Sequence, residues 1–391
     1  MRRFTSLMLT FALLASGFAL LGSAEDRVLR MPGGNQSTSH ELGPFDPAKA
    51  FSYHPHPSKA GVPGPTGLPL FQYNVTAAQD NKPYSGVIVG RSPFLRGKIP
   101  TAVPTMVIPM KIQFLDANNN VVFTSDPDAA DSCSGNNTVT SLVNNSPILN
   151  PVNFTMNGVN VGNVQYVDGF QRASFWTLIN GANYHTSLTS LPQPTVTIQI
   201  PNGEWATHQG TCAKLGAIEI NFWDNFVQTQ LLAAVGATPD KFPLFFARNV
   251  VYYFGNPNNC CALGYHNATT VALNAQTYSI NDFEDSGSFG SDANDTAVMS
   301  HEVGEWMDDP LTNNPTPAWG HIGQVSGCQN NLEVGDPLSG TDFPSVFLNG
   351  FTYHLQELAF FSWFYHQNPS LGVNGWYSDQ GKFKTFAANC T

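Results

Sequence analysis

Alternating apolar and polar residues predict β-strands through the first half of the chain. Between residues 107 and 126, the sequence VIPMKIQFLDANNNVVFTSD alternates on both sides of Asn118-Asn119-Asn120, which is the pattern of a β-hairpin. The β-branched stretch at residues 191–203 ends in a turn and predicts a further strand. We therefore expect a β-rich, sandwich-like domain over residues 69–215.

From residue 216 onwards, helical and strand patterns follow one another. Residues 218–235 repeat apolar side chains at helical spacing. Residues 242–254 form a nearly continuous apolar run, which is typical of a strand buried on both faces. Residues 352–366 (TYHLQELAFFSWFYH) predict a mostly apolar helix. The second region, residues 216–391, is therefore expected to be an α+β domain.

The first 24 residues predict a secretory signal peptide. Arg2 and Arg3 precede a mostly apolar stretch that is short for a transmembrane helix, and Gly22-Ser23-Ala24 provides small residues for cleavage. Residues 25–68 are rich in Pro, Gly and Ser, which predicts an extended leader or pro-segment rather than a packed core. We expect a secreted protein, extracellular or periplasmic, without a stable membrane anchor.

The composition of the chain indicates which kinds of partner it can bind. Of the 391 residues, 42% are hydrophobic and only 12% are charged, with a formal net charge of −11. Because phosphate binding needs clustered lysine and arginine, nucleic acid is not expected as a partner. The six cysteines, an even number in a chain predicted to be exported, favour disulfides. The adjacent Cys260 and Cys261 are expected to reach two different partners.

Residues 295–310 (DTAVMSHEVGEWMDDP) carry the strongest chemical signal. Asp295 is a suitable N-cap and the terminal proline disfavours helix before it, which predicts a helix of about three turns. His301 and Glu305 are four residues apart, so their side chains point into the same space. Gly304 costs about 1 kcal/mol relative to alanine inside a helix, which indicates close packing beside the motif.

This spacing suits a zinc site. Zinc accepts histidine nitrogen and carboxylate oxygen, and a catalytic site needs three protein ligands and one open position. We expect His301 and Glu305 to be ligands, with Glu302 as the general base that takes a proton from metal-activated water. The downstream segment LEVGDP supplies a third ligand, most simply Glu333, with Asp336 as the alternative.

The two acidic segments also carry a family resemblance. HEVGEWMDDP followed by LEVGDP resembles a secreted group with a zincin-like catalytic half, known mostly as uncharacterised bacterial proteins. It is also similar to the plant Exordium (phosphate-induced) family, whose members carry an HExxE helix followed by an E-x-G-D segment. Within the likeness, which covers about residues 216–391, NNCCALGYHNA resembles the edge strand that precedes a zincin motif helix and receives substrate backbone.

The resemblance implies a zincin-like α+β domain with a mixed sheet and an HExxE motif helix, acting on an extracellular protein or peptide. It places His301, Glu302, Glu305 and either Glu333 or Asp336 at the site. Glutamate replaces the second histidine of the more familiar HExxH motif. A second carboxylate donates more negative charge to the metal, which should make it a weaker Lewis acid.

Other residues are candidates on weaker grounds. Tyr353 and His354 lie at the start of a predicted helix and are catalytic candidates, able to polarise a substrate carbonyl or stabilise an oxyanion. His321, in the loop between the two acidic segments, is a substitute ligand. The loop at residues 282–295 has enough oxygen donors for an additional Ca²⁺ ion, although it lacks EF-hand spacing.

These observations leave several functional hypotheses. The first is a zinc metallopeptidase that hydrolyses peptide bonds with metal-activated water. A glycoside hydrolase would instead use Glu302 or Glu305 together with Glu333 as acid and base. A non-catalytic extracellular or cell-wall binding protein would hold a structural metal or none. The simplest alternative is that His301 and Glu305 form an exposed i,i+4 pair.

Overall fold

Strands dominate the regular structure, as the alternating and β-branched segments predict. The computed structural model describes residues 27–32, 40–42, 66–95, 99–271, 273–290, 293–320 and 328–381. The described residues form a mixed α+β fold that is rich in strands and contains a curled sheet. The predicted signal peptide, most of the predicted leader and His321 lie outside the described residues.

The described strands are numbered here in chain order. They are β1 (Val28–Arg30), β2 (His40–Glu41), β3 (Leu70–Thr76), β4 (Pro83–Val89), β5 (Thr101–Leu115), β6 (Val121–Ser125), β7 (Val152–Met156), β8 (Val159–Val164), β9 (Thr186–Pro192), β10 (Val196–Ile200), β11 (Trp205–Gln209), β12 (Lys214–Glu219), β13 (Phe242–Arg248), β14 (Val250–Phe254), β15 (Asn256–Ala262), β16 (Gly264–Val271), β17 (Asn274–Phe283), β18 (Pro315–Gly320), β19 (Cys328–Asn331), β20 (Asp342–Leu348) and β21 (Phe351–Gln356).

The described helices are short. They are α1 (Val139–Asn144), α2 (Tyr166–Ser174), α3 (Trp176–Ile179), α4 (Ile220–Phe226), α5 (Leu232–Ala234), α6 (Ala297–Asp308) and α7 (Phe361–Tyr365). A π-helical turn (Val227–Leu231) joins α4 to α5, which confirms the helix predicted over residues 218–235, and 3₁₀ turns lie at Asp336–Leu338 and Val373–Gly375. None of the described helices combines the length and the apolar character needed to cross a membrane.

The larger sheet is built around β5, a strand of 15 residues. Its order is β1-β10-β5-β13-β17-β16, and β6 and β9 also pair with β5. The β5–β6 pair is antiparallel and confirms the hairpin predicted around Asn118-Asn119-Asn120, whereas β9, β10 and β13 run parallel to β5. Parallel strands need cover on both faces, and every residue of β13 is buried.

A second sheet has the order β15-β14-β12-β11-β2. Its strands β12 and β14 run parallel, and α4 contacts both of them. β15 and β16, which follow one another in the chain, lie in different sheets, and each is the last strand in the order of its sheet. The segment NNCCALGYHNA, predicted to contain an edge strand, therefore spans the ends of two sheets.

The two predicted domains share one sheet and one core. β5 and β10 precede residue 215, whereas β13, β17 and β16 follow it, and all five belong to the larger sheet. One hydrophobic cluster contains Val103 and Val107 of β5 together with Trp306 of α6 and Trp363 of α7. β1 and β2, from the predicted leader, pair with β10 and β11. The N-terminal region at residues 69–215 is therefore not separate from the rest of the fold. Its longest strand, β5, pairs with strands from both halves of the chain.

The apolar run at residues 242–254 forms two strands rather than the single strand predicted. Asn249 separates β13 from β14 and has a φ of 55°. Asparagine tolerates this left-handed conformation, and its side-chain amide donates to Oδ1 of Asp285. The chain passes at this residue from the larger sheet into the second sheet.

The predicted motif helix is confirmed as α6, but Asp295 is not its N-cap. The helix runs from Ala297 to Asp308 and contacts β4, β16, β17, β21 and α2. Asp295 has a φ of 43°, and its carboxylate accepts hydrogen bonds from the backbone N–H groups of Thr296 and His354. Asp295 therefore ties the start of α6 to β21 instead of capping the helix.

Aromatic packing and a close approach fix the position of α6. The Trp306 ring stacks on Phe242 of β13 with 3.6 Å between centroids. The indole N–H of Trp306 donates to Oγ1 of Thr277 at 3.0 Å. The close packing that the glycine in this helix predicts is confirmed at Gly304. A Cβ there would lie 2.5 Å from Cδ1 of Leu358.

Residues 352–366 do not form the single helix predicted. β21 ends at Gln356, and the short helix α7 begins only at Phe361. Side chains of a strand alternate between its two faces, so Tyr353 and Leu355 share one face while His354 and Gln356 share the other. In the sequence, this alternation is hard to recognise because the aromatic residues of α7 follow soon after β21.

The described disulfides differ from expectation at one point. Cys133 and Cys212 are bonded across 79 residues of sequence. Cys260 and Cys261 are bonded to each other in β15, so the prediction that they reach two different partners is wrong. Both bonds are consistent with an oxidising environment.

Candidate metal centre

The helix α6 is buried along its whole length, including its polar residues. His301 is 8% exposed and Glu305 is 3% exposed. The alternative that His301 and Glu305 form an exposed i,i+4 pair is therefore wrong, although the two side chains do face each other. Charged groups are buried in proteins only when they are paired or bind metals, so the surroundings of this helix decide what it does.

His301 has one ring nitrogen fixed and the other directed at carboxylates. Its Nδ1 lies 2.9 Å from Oε1 of Gln356, whose own amide N–H₂ donates to the carbonyl of Gly335 at 2.8 Å. Because that amide oxygen can only accept, Nδ1 carries a proton, and deprotonation of the ring would leave the lone pair on Nε2. Nε2 lies 3.1 Å from Oε1 of Glu305 and 3.6 Å from Oδ1 of Asp336.

His266 of β16 is the residue that the sequence pattern does not predict. It is 1% exposed, and its Nε2 lies 3.1 Å from the carbonyl oxygen of Asp309, which can only accept. Its Nδ1 has no hydrogen-bond partner among the described residues. That nitrogen lies 3.6 Å from Oε2 of Glu302 and 3.7 Å from Oε2 of Glu305.

Both candidates for the third ligand lie at the site, but beside different histidines. Oε2 of Glu333 is 3.7 Å from Nε2 of His266, whereas Oδ1 of Asp336 is 3.6 Å from Nε2 of His301. Neither of these two oxygens has a hydrogen-bond partner among the described residues. The segment can approach because residue 335 is glycine: a Cβ there would lie 2.5 Å from Nδ1 of His301.

We call His266, His301, Glu302, Glu305, Glu333 and Asp336 the carboxylate–histidine cluster. Glu305 is central to it, because its Oε1 faces His301 and its Oε2 faces His266. Oε1 also accepts the backbone N–H groups of Gly335 at 3.0 Å and Asp336 at 3.1 Å. These two bonds fix the rotation of the carboxylate and leave Oε2 towards His266.

The spacing of the donors fits a divalent cation. The 3.1 Å between Nε2 of His301 and Oε1 of Glu305 is a hydrogen-bond distance, whereas the other separations, 3.6 and 3.7 Å, exceed the usual range of about 2.7–3.2 Å. Nitrogen and oxygen atoms bound to zinc at about 2.0–2.2 Å in tetrahedral geometry lie about 3.3–3.6 Å apart. His266, Glu333 and Asp336 each have a buried side-chain atom without a hydrogen-bond partner, and a bound cation would give these atoms a partner. The residues present could therefore hold a metal ion.

The pKa values of His301, Glu333 and Asp336 favour protons on these groups where a cation is lacking. Burial alone lowers the pKa of His301, but the charges of Glu305 and the other nearby carboxylates hold it well above its usual value. Burial raises the pKa values of Glu333 and Asp336 well above those of exposed carboxyls. Metal ligands bind in their deprotonated forms, so cation binding here is expected to release protons.

Tyr353, predicted as a catalytic residue, lies on the wrong face of β21. It is fully buried, and its hydroxyl donates to the carbonyl of Leu142 at 2.9 Å. The face of β21 that reaches the cluster is the one that carries Gln356. Tyr353 is therefore a core residue, and its position does not support the predicted catalytic role.

His354 shares the face of Gln356, but it is bonded elsewhere. Its Nδ1 lies 2.6 Å from Oδ2 of Asp295, and this hydrogen bond raises the pKa of His354. The described contacts of the side chain place it at the start of α6, with no contact to the carboxylate–histidine cluster. Its predicted catalytic role is not supported by this position.

The described carboxylates of the predicted calcium loop each have a protein partner, although Oδ2 of Asp282 and Oε2 of Glu284 have no hydrogen-bond partner among the described residues. Oδ1 of Asp282 accepts the backbone N–H of Val250, and Glu284 accepts the hydroxyl of Ser286. Asp285 forms an ion pair with Arg248 at 2.8 Å. Among the described residues, the groups of side chains spaced to hold a metal ion lie in the carboxylate–histidine cluster, not in this loop.

Comparisons with other proteins found no match, so any inference about function rests on the geometry of the cluster. No family model matches the chain, and no curated protein and no solved structure is significantly similar to it. The resemblance to the HExxE group and to the Exordium family therefore stays a prediction that rests on the two acidic segments.

Proposed function

We propose that this protein is a secreted, zinc-dependent hydrolase of extracellular peptides, a metallopeptidase with an HExxE helix. The observation that carries the proposal is the pairing of buried histidines with carboxylates at ligand spacing around α6. The unpartnered, deeply buried donors of this cluster need a cation or protons to be stable.

Within this proposal, His301 and Glu305, which lie at metal-binding spacing, hold the cation, and Asp336 joins them because its unpartnered Oδ1 lies 3.6 Å from Nε2 of His301. Gln356 orients His301 by accepting its Nδ1 proton, the kind of outer contact that metal-binding histidines commonly make. A bound zinc ion supplies Lewis acidity that activates water and polarises a carbonyl group. All three ligands come from buried elements, so their positions are set by packing.

Glu302 accepts the proton in this mechanism. It neighbours His301 on α6, and its Oε2 lies 3.6 Å from Nδ1 of His266. Burial raises the pKa of Glu302 above its usual value, which the two histidines only partly oppose. A general base works best when its pKa lies near the working pH, so this shift suits the role.

The surroundings of the cluster distinguish between the two other functional hypotheses, a glycoside hydrolase and a non-catalytic binding protein. A glycoside hydrolase needs two carboxyl groups free to face a sugar, whereas Glu302, Glu305 and Glu333 all lie within 3.7 Å of His266. A non-catalytic protein with a structural metal is the stronger second candidate. Its support is the burial of the cluster, where even the His301 side chain is only 10% exposed.

Secretion belongs to the same proposal. Its support is the predicted signal peptide together with the disulfide between Cys133 and Cys212. Disulfides persist in oxidising compartments and are rare in the cytosol of most organisms. The protein should therefore be produced by export for any functional test.

Glu302→Gln tests the catalytic claim. The full chain would be stripped with a chelator, reloaded with zinc and assayed on a fluorescently labelled, unfolded protein. We expect hydrolysis to need zinc and to fall at least about a hundredfold in the variant, because a general base contributes that much, while zinc content stays unchanged. Glu204→Gln, which alters a buried carboxylate before β11, should retain activity.

Each possible result decides between the candidates. Zinc binding without hydrolysis in the wild-type protein would favour the non-catalytic alternative. Undiminished hydrolysis by Glu302→Gln would overturn the assigned proton acceptor. A protein that binds no zinc would overturn the metal-dependent proposal as a whole.

A further inference from the structure

The carboxylate–histidine cluster does not converge on a single point. Its potential ligand atoms fall into two groups, and within each group they lie within 4.8 Å of one another. One group is His301, Glu302 and Glu305, and the other is His266, Glu305 and Glu333. Glu305 is common to both groups, whereas the two histidines are not brought into one.

Each histidine has the features of a separate metal ligand. His301 has its Nδ1 fixed by Gln356, and His266 has its Nε2 fixed by the carbonyl of Asp309. Outer hydrogen bonds of this kind select the tautomer and leave the other nitrogen for a metal. The nitrogen thus left on His266, Nδ1, is buried and has no hydrogen-bond partner among the described residues.

Glu305 lies between the two histidines and divides its oxygens between them. Its Oε1, held by two backbone N–H groups, is 3.1 Å from Nε2 of His301. Its Oε2 is 3.7 Å from Nδ1 of His266. The second oxygen is therefore directed away from the His301 side and towards His266.

Glu333 completes the arrangement around His266. Its Oε1 accepts the side-chain amide of Asn331 at 2.8 Å, which orients the carboxylate. Its Oε2 is left without a hydrogen-bond partner among the described residues, and it lies 3.7 Å from Nε2 of His266, the ring nitrogen that also faces the carbonyl of Asp309. Glu333 is fully buried, so this oxygen has no bulk water to satisfy it.

When all four carboxylates of the cluster are ionised, their charge exceeds what one divalent cation offsets. Glu302, Glu305, Glu333 and Asp336 carry four negative charges when ionised, and one divalent cation would leave two. In the described part of the chain, the ion pairs of lysine and arginine all involve other carboxylates. Buried charges without partners are costly, so a second divalent cation would bring the four carboxylates to formal neutrality.

We propose that the chain binds a second divalent cation at His266, Glu305 and Glu333, beside the one held by His301, Glu305 and Asp336. This inference rests on the metal-dependent function proposed above, but it concerns the number of ions and not the reaction. Two-metal sites occur in several classes of hydrolase. Glu305 would contribute to both ions, and Glu302 lies 3.6 Å from Nδ1 of His266 and next to His301 in the chain.

Counting zinc per chain tests the second site. The full chain would be stripped with a chelator, dialysed against zinc chloride, freed of unbound metal and measured by elemental analysis. We expect about two zinc ions in the wild-type protein and about one in His266→Gln. His185→Gln should still bind two, because His185 pairs with Asp168 at 2.8 Å, away from the cluster.

The outcomes separate this inference from the proposed function. One zinc ion in the wild-type protein, or two in His266→Gln, would overturn the second site even if hydrolysis is observed. Two zinc ions in a protein that hydrolyses nothing would support the second site and overturn the catalytic claim. If His266→Gln does not fold, Glu333→Gln replaces it, and the wild-type count still decides.

Discussion

Oε1 of Gln356 lies 2.9 Å from Nδ1 of His301, and this contact links β21 to the motif helix. The Gln356 amide is itself held by the carbonyl of Gly335, so β21, α6 and the LEVGDP segment meet at one side chain. The glutamine therefore sets which nitrogen of His301 faces the carboxylates.

Replacing this glutamine should weaken metal binding. Gln356→Met keeps the size of the side chain and removes the acceptor, so Nδ1 of His301 loses its partner. Loss of such an outer contact typically costs 10- to 100-fold in metal affinity, and we expect a loss of about that size. Competition between the protein and a coloured chelator for zinc measures it.

Gln165→Met is the matched control, because Gln165 is also buried and also bonds backbone groups. It should lower the free energy of unfolding and leave zinc affinity unchanged. Equal affinity losses in both variants would indicate a general effect of destabilisation rather than a role for Gln356.

One methyl group at Gly335 should also disturb the site. Gly335 has a φ of −85°, which alanine adopts without strain, but its Cβ would meet three atoms of the His301 ring at 2.5–2.8 Å. The ring would have to move, so we expect zinc affinity to fall at least about tenfold in Gly335→Ala.

Gly304→Ala provides the comparison for that variant. Its Cβ meets the flexible end of Leu358, and alanine gains about 1 kcal/mol in helix propensity, so the two effects oppose each other. Zinc affinity should stay near the wild-type value. A larger affinity loss in Gly304→Ala than in Gly335→Ala would contradict this account.

The disulfide between Cys133 and Cys212 should dominate the contribution of the described disulfides to stability. It spans 79 residues, and closing a loop of this length stabilises a protein by about 4 kcal/mol through the unfolded state. Cys133→Ala with Cys212→Ala should lose that amount in urea unfolding. Cys260→Ala with Cys261→Ala, which closes no loop, should lose clearly less.

His366 should make stability fall in acid. Burial lowers its pKa from the usual 6.5 to about 4, so the folded protein keeps the ring neutral while the unfolded chain takes up a proton. Stability is therefore fully present above pH 6.5 and is lost as the pH falls towards 4. The loss is on the order of 3 kcal/mol, since each pKa unit corresponds to about 1.36 kcal/mol.

His366→Asn tests this dependence, because asparagine tolerates the φ of 46° at this position. The variant should lose less stability than the wild-type protein between pH 7 and pH 4.5 in denaturant unfolding. Parallel curves for the two proteins would contradict the prediction, since other titrating groups are common to both.

Local patterns predicted much of the fold. The hairpin after β5, the helix at residues 218–235 and the motif helix all appear where periodicity places them. The break at Asn249 was missed because hydrophobicity does not record a left-handed backbone. The pairing of β5 with β13 was missed because it joins residues more than a hundred positions apart.

The site was predicted only as far as spacing along the chain allows. His301, Glu302 and Glu305 lie on one helix, and Glu333 and Asp336 follow in one segment, so a motif can indicate them. His266 reaches the same place from a strand in the larger sheet, through tertiary packing alone. Its one sequence signal is its place in NNCCALGYHNA, a segment with a strand pattern but no metal-binding motif.

The position of β5 in the larger sheet has a consequence for how the chain folds. Residues 101–115 pair with strands as distant as β13, which begins at Phe242, and β13 in turn needs β17. Contacts between such distant residues form slowly because long loops must close first. The part of β5 that pairs with β13 therefore lacks this neighbour until residues beyond 242 are present, although β6, β9 and β10 can pair with β5 earlier.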